Sequence, residues 1–315
     1  MISRKLAASL LISTLALGGC AALVDQRATT REGMAEATFP PTGQFVTVQG
    51  ARIHVDVQGA GPDLVLIHGA SGSSRDFTFN LASRLKSNYR VISFDRPGMG
   101  YSDSLPGTDL SPLAQADALI AAAQQLGAKN PIVLGHSYGG SVAMAWALRA
   151  TPRALVIVSG ATMPFPGDLG LWYQVTSSRL GGATIVPLIT AFAPESRVDS
   201  ALADIFAPQS PPAGYADYIG APLTLRRDAL RVNGRQVNNL KPHVTLMAEN
   251  YPKLTLPVEI IHGTADTTVP IQIHAIPLSK LLPNANLTVL NGIGHMPHHT
   301  NPDDIVAAIN RAASR

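Results

Sequence analysis

The chain has one cysteine, Cys20, in 315 residues, so an intramolecular disulfide is impossible. It carries little charge, 14% of residues, and has neither a long basic run nor a basic stripe interleaved with aromatics. That removes the usual footprint of a nucleic-acid partner. "HGASGSS" lacks the lysine of a P-loop and "RPGMGYS" lacks the third glycine of a dinucleotide fingerprint, so nucleotide cofactors are not indicated. The apolar run near the start, Leu6 to Leu17, is too short to span a bilayer comfortably. No repeat recurs at a solenoid period.

What is present is a hydrophobic fraction of 46% over 315 residues, enough for one large α/β domain or two small ones. "GQFVTVQGARIHVDVQGAG" alternates apolar and polar residues across a turn at Gln49 and Gly50, which predicts an opening hairpin. Short apolar runs then recur as "DLVLIHG", "RVISFDRPG", "PIVLGHS", "ALVIVSG", "VEIIHGTAD" and "NLTVLNGIGH", with helices predicted over about 75–87, 111–127, 138–150, 271–282 and 302–313. Strands alternating with helices predict an α/β class with a mostly parallel, doubly wound sheet.

About 90 residues, 163–252, interrupt this rhythm without a clear buried strand. They read as a helical cap inserted over the carboxyl ends of the strands, where ligands bind in parallel sheets. The core is thereby assigned to 43–162 and 253–315. The cap's "LGLWYQV" and "TIVPLITAF" predict an apolar lid lining a dry pocket, with turnover highest for short to medium acyl chains. Residues 21 to about 42 are polar and mixed, without apolar periodicity, and read as a spacer.

In "PIVLGHSYGGSVAMAWAL", Ser137 stands between Gly135 and Gly139 where a strand runs into a helix. One reading is an ordinary turn, and the other is a nucleophile elbow. A nucleophile needs a base, a group to orient that base, and donors for an oxyanion. Asp266 follows one predicted strand and His295 the next, so all three fall on one edge of a parallel sheet. His295 would take the Ser137 proton while Asp266 holds the imidazole tautomer. The oxyanion donors would be the backbone N–H groups of Tyr138 and of Ala70.

"HGASGSS", "FDRPGMGYSD", "GHSYGG", "HGTADTTVP" and "GIGHMPHHTNP" resemble the successive motif blocks of the α/β-hydrolase fold superfamily, in the branch of haloperoxidase-like esterases, epoxide hydrolases and carbon-carbon bond hydrolases. The resemblance covers 43–315 except the cap. Epoxide hydrolases and haloalkane dehalogenases of that branch attack with aspartate, so Ser137 argues against both activities. "LGGC", Leu17 to Cys20, after a basic start and an apolar run, resembles the lipobox of bacterial lipoproteins. That resemblance implies a signal peptide over 1–19, a lipidated N-terminus at Cys20 with palmitate-type acyl chains, and a linker over 20–42. Removal of Arg4 and Lys5 leaves 22 basic against 21 acidic residues. Ala21, rather than aspartate, after the cysteine implies the outer membrane, facing the periplasm, in a host with two membranes.

Other residues have plainer readings. His68 shapes the oxyanion loop, Asp95 organises a loop, and His262 is a satisfied core histidine. His295, His298 and His299 have metal-like spacing, but no thiol or compact set of carboxylates accompanies them in the sequence, so no metal is assigned. The expected activity is hydrolysis of a small carboxylic ester or lactone without cofactor, with carbon-carbon cleavage and perhydrolysis as sister chemistries. A peptidase gripping a free amine would need a cap carboxylate, Glu195 or Glu249. A tethered binding module that keeps only the fold is the reading of another class.

Overall fold

The computed structural model describes residues 4–107 and 110–315, with side chains from Gly19 onward. Its centre is one eight-stranded sheet in the order β1-β2-β4-β3-β5-β6-β7-β8. The strands are β1 (Gln44–Val48), β2 (Ala51–Gln58), β3 (Asp63–Ile67), β4 (Arg90–Phe94), β5 (Ile132–His136), β6 (Ala154–Val158), β7 (Val258–Gly263) and β8 (Ala285–Leu290). β1 and β2 form the opening hairpin, and β2 pairs antiparallel with β4; from β4 to β8 all pairings are parallel. Gln49 and Gly50 turn the hairpin with φ of 52° and 82°, the hand that matches strand twist.

The two-residue period of a strand sorts the core. Val65, Ile67, Val133, Leu155 and Ile157 face one layer, with Leu119, Val142 and Trp146. Leu64, Leu66, Leu134, Val156 and Val158 face the other, with Phe77, Leu81, Ile305 and Ile309. Because helices cover both faces, β5 and β6 are buried at every residue and can be continuous apolar runs.

Helix α1 spans Arg4–Thr38, and α2 (Arg75–Thr78) and α3 (Leu81–Leu85) follow β3. The single helix expected over 75–87 is thus two, because Asn80, at φ −143° and ψ −51°, leaves the helical region. α4 (Pro112–Gln125) and α5 (Tyr138–Arg149) flank β5. Between β6 and β7 stand α6 (Leu171–Ser177), α7 (Arg179–Phe192), α8 (Glu195–Phe206), α9 (Tyr215–Ile219), α10 (Ala221–Thr224), α11 (Arg227–Asn238) and α12 (Leu240–Ala248). α13 (Ala275–Leu281) starts four residues later than the predicted helix over 271–282, and α14 (Pro297–Thr300) and α15 (Pro302–Ser314) close the chain.

The stretch read as a spacer is helical to Thr38 and docked on the cap. Ala28 and Ala35, two turns apart, are buried. Arg27 and Arg31 donate to the carbonyls of Ala191 and Ala193, at the end of α7. Arg227 of α11 grips Glu32 through both nitrogens of its fork, at 3.0 and 2.6 Å, and also pairs with Asp25. Burial alone would raise the Glu32 carboxyl, but the Arg227 hydrogen bonds hold it below the usual range. Docking through alanines and ion pairs leaves no apolar stripe in the sequence, which is why the segment looked structureless. No helix among the described residues is long and apolar enough to cross a membrane.

Candidate active site

Ser137 sits between β5 and α5 at φ 54° and ψ −121°, a region costly to a non-glycine residue by about 1–3 kcal/mol. The surroundings enforce it. Ser137 N–H donates to Val158 O at 3.0 Å, and Ser137 O accepts from the N–H groups of Gly140 and Ala161 at 2.9 and 3.0 Å. The flanking glycines are steric requirements: a Cβ on Gly135 would lie 2.2 Å from Gly139 O, and one on Gly139 2.1 Å from Ile67 O. Ser137 is 9% exposed.

Asp266 and His295 are brought together from the ends of β7 and β8. His295 Nδ1–H donates to Asp266 Oδ2 at 2.7 Å, leaving Nε2 as the basic nitrogen. Asp266 Oδ1 accepts from the N–H groups of Thr268 and Val269 at 3.0 and 2.8 Å. Burial pushes this carboxyl up, yet the hydrogen bonds to His262 and His295 outweigh it and hold it well below the ordinary range. His295 is joined to the elbow through its backbone, whose carbonyl accepts from His136 Nε2–H at 3.0 Å. Among the described residues no hydrogen bond of 3.5 Å or less runs from Ser137 Oγ to His295.

The loop carrying Ala70 lies against Ser137. A Cβ on Gly69 would stand 3.0 Å from Ser137 Cβ and 3.5 Å from its Oγ. Arg96, fully buried, holds this loop: Nε donates to His68 O and Nη2 to Gly69 O, both at 3.0 Å, and the Arg96 N–H donates to His68 Nε2 at 2.9 Å. Its remaining partners are the neutral Gln115 and Gln236 and the ring face of Tyr138, 4.4 Å away. Burial lowers the guanidinium to about 10, so it stays cationic at neutral pH. Burial, and then the Arg96 charge, lowers His68 to about 4. His68 is therefore neutral, with Nδ1–H on Gly69 O at 2.8 Å. Arg96 was missed in the sequence because an arginine in a loop motif gives no sign of burial.

Several other readings change. His298 and His299 do have a carboxylate, Asp76, delivered from 222 and 223 positions away: their Nε2–H groups donate to it at 3.0 and 2.8 Å, and Tyr215 OH donates at 2.8 Å. Asp76, His298 and His299 are the group among the described residues with ligand atoms close enough for a metal, within 4.8 Å. The Nε2–H group of each histidine already donates to Asp76, while the Nδ1 atoms of both are buried without a hydrogen-bond partner. His262 is more than a core residue, since its Nε2 lies 2.6 Å from Val269 O and 3.1 Å from Asp266 Oδ2. Asp95 accepts from Ser74 N–H, Tyr101 N–H and His54 Nδ1–H at 2.6, 2.7 and 2.8 Å, a loop organiser. Glu195 and Glu249 are exposed, as is every other carboxylate among the described residues of 163–252, so none is set in a dry cleft to grip an amine.

The lid differs from expectation in orientation. Leu171, Trp172, Leu180, Ile185, Leu188 and Phe192 are exposed. Met163, Phe165, Leu169 and Tyr173 are instead partly buried against the core. Asn233 of α11 is tied to the loop that carries Ala70, accepting from Ser71 N–H at 2.9 Å and donating to Ser71 Oγ at 3.0 Å.

A parallel sheet with a strained serine after β5 and a buried His–Asp pair after β7 and β8 is the architecture of an α/β hydrolase. Residues 64–309 match the model of the Alpha/beta hydrolase family, and the chain belongs to that family. It is 29% identical to 2-hydroxymuconate semialdehyde hydrolase of Pseudomonas putida over 81% of this chain and 88% of that one. It is 25% identical to the pimeloyl-[acyl-carrier protein] methyl ester esterase of Aliivibrio salmonicida over 82% and 95%. A bacterial membrane phospholipase A shares the fold with a TM-score of 0.69 at 19% identity, over 99% of both chains.

Proposed function

We propose that the protein is a serine hydrolase of carboxylic esters or lactones, working through Ser137, His295 and Asp266. The observation that carries this is the strained Ser137 held on the same sheet edge as the buried His295–Asp266 pair. Ser137 Oγ attacks the carbonyl carbon as its proton passes to His295 Nε2, and Asp266 stabilises the imidazolium. The oxyanion is assigned to the N–H groups of Ala70 and Tyr138, with the Arg96 charge behind the loop that carries Ala70. His295 then returns the proton to the departing alcohol, and water hydrolyses the acyl-enzyme. Met163, Phe165, Leu169 and Tyr173 would take the acyl side, which keeps the preference for short to medium chains.

Carbon-carbon bond hydrolysis is the second reading, favoured by the similarity to 2-hydroxymuconate semialdehyde hydrolase. We place the protein at the cell envelope, anchored by acyl chains on Cys20, which is exposed, in the outer membrane of a two-membrane host. The test of function is a panel of p-nitrophenyl acetate, butyrate, octanoate and palmitate beside a vinylogous 1,5-diketone. Ester turnover peaking at butyrate or octanoate is expected. Turnover of the diketone alone would transfer the assignment to carbon-carbon cleavage.

A further inference from the structure

Helix α7 is apolar on both sides. Gly182, Val186 and Thr190 are buried, whereas Leu180, Leu188 and Phe192 recur at eight- and four-residue spacing and are 75%, 43% and 54% exposed, with Ile185 beside them. α6, joined to α7 through Ser178 alone, adds exposed Leu171 and Trp172. A helix apolar all round belongs in an apolar surrounding, and this one meets protein on only part of its girth.

The identity of the missing surrounding follows from α1. Arg27 of α1 stands over the Phe192 ring at 5.0 Å, and exposed Cys20 lies seven residues earlier on the same helix, about 10 Å along its axis at the α-helical rise. Acyl chains on Cys20 would bring this side of the cap against the headgroups. Arg27 and the exposed Arg179, next to Leu180, add cations at the rim of the apolar row, as suits a bilayer containing anionic lipid. We propose that the outward face of α6 and α7 is seated in the headgroup region of the membrane holding the anchor, so that the cap itself, and not the lipid alone, contacts the bilayer. The proposal rests on the reading of Cys20 as lipidated.

Trp172 reports this directly, because the only other tryptophan, Trp146, is buried in the core. Full-length protein extracted from membranes would be reconstituted into vesicles of phosphatidylethanolamine and phosphatidylglycerol, with or without brominated acyl chains. Trp172 emission is obtained as the difference from Trp172→Phe. It should be blue-shifted in plain vesicles and lose most of its intensity in brominated ones, and Leu180→Glu/Leu188→Glu should weaken that quenching several-fold while turnover of a soluble ester is unchanged. Unquenched Trp172 in protein whose Cys20 is acylated by mass spectrometry overturns the proposal. So does a stable dimer that the double substitution dissociates, which would give the face to a second copy. Quenching in protein without acylation upholds the face and removes the anchor. Absent ester turnover in quenched wild-type protein counts against the hydrolase reading alone.

Discussion

Replacing Asp266 with asparagine probes the orientation of the candidate base with little change of shape. Asp266 Oδ1 accepts two backbone N–H groups, from Thr268 and Val269, and only an oxygen can occupy that place. The asparagine amide must therefore turn its NH2 toward His295 Nδ1 and His262 Nε2, where Oδ2 now stands 2.7 and 3.1 Å away. A donor facing Nδ1 moves the imidazole proton to Nε2, the nitrogen that must accept the Ser137 proton. The wrong tautomer should lower kcat by about four orders of magnitude, or ~5.5 kcal/mol of transition-state stabilisation. KM should change little, because Asp266 touches no substrate in this scheme. Folding should lose only ~1–2 kcal/mol, since His262 Nε2–H keeps Val269 O at 2.6 Å. Initial rates with p-nitrophenyl butyrate, with a urea melt of the same preparation, decide the matter. A loss below tenfold in folded protein would refute the role given to Asp266.

Arg227→Ala removes the bidentate hold on Glu32, a partly buried contact of ~1–3 kcal/mol, and limited proteolysis should then cut within 20–42 much sooner than in wild type; an unchanged digest would contradict the docking of α1. Burial holds His68, His274 and His298 to about 4, the first two helped by the charges of Arg96 and His262 and the third opposed by Asp76. The unfolded chain therefore takes up protons near pH 6.5 that the native protein refuses. Stability should fall as pH drops from about 6.5 to about 4, by up to ~1.4 kcal/mol per pH unit for each histidine, and urea midpoints that stay level across that window would contradict it. Cys20→Ser should remove the acyl chains and release a catalytically unchanged domain from the membrane fraction; wild-type protein recovered soluble and unacylated would refute the anchor.

The strands were legible because β5 and β6, covered on both faces, must be short continuous apolar runs such as Ile132–Leu134 and Ala154–Val158. Local spacing also marked Gly135, Ser137 and Gly139, where the turn itself demands the residues. Asp76 was not legible as a partner of His298 and His299, since the contact closes over more than 200 residues and "SSRDFTF" reads as an ordinary helix start. The side to which α7 turns Leu180 and Leu188 was hidden for a different reason. Periodicity reveals a stripe, but whether that stripe meets protein depends on the neighbours it finds. α1 was obscured because its docked face is Ala28, Ala35 and a set of ion pairs, a combination without an apolar signature.

The most direct test of Ser137 as nucleophile is the intact mass of the protein after treatment with a fluorophosphonate. One phosphonyl adduct per chain is expected, mapped by peptide sequencing to Ser137, with no adduct in a folded Ser137→Ala variant that has also lost ester turnover. Full labelling of Ser137→Ala, or an adduct mapped to another residue in the wild type, would contradict it.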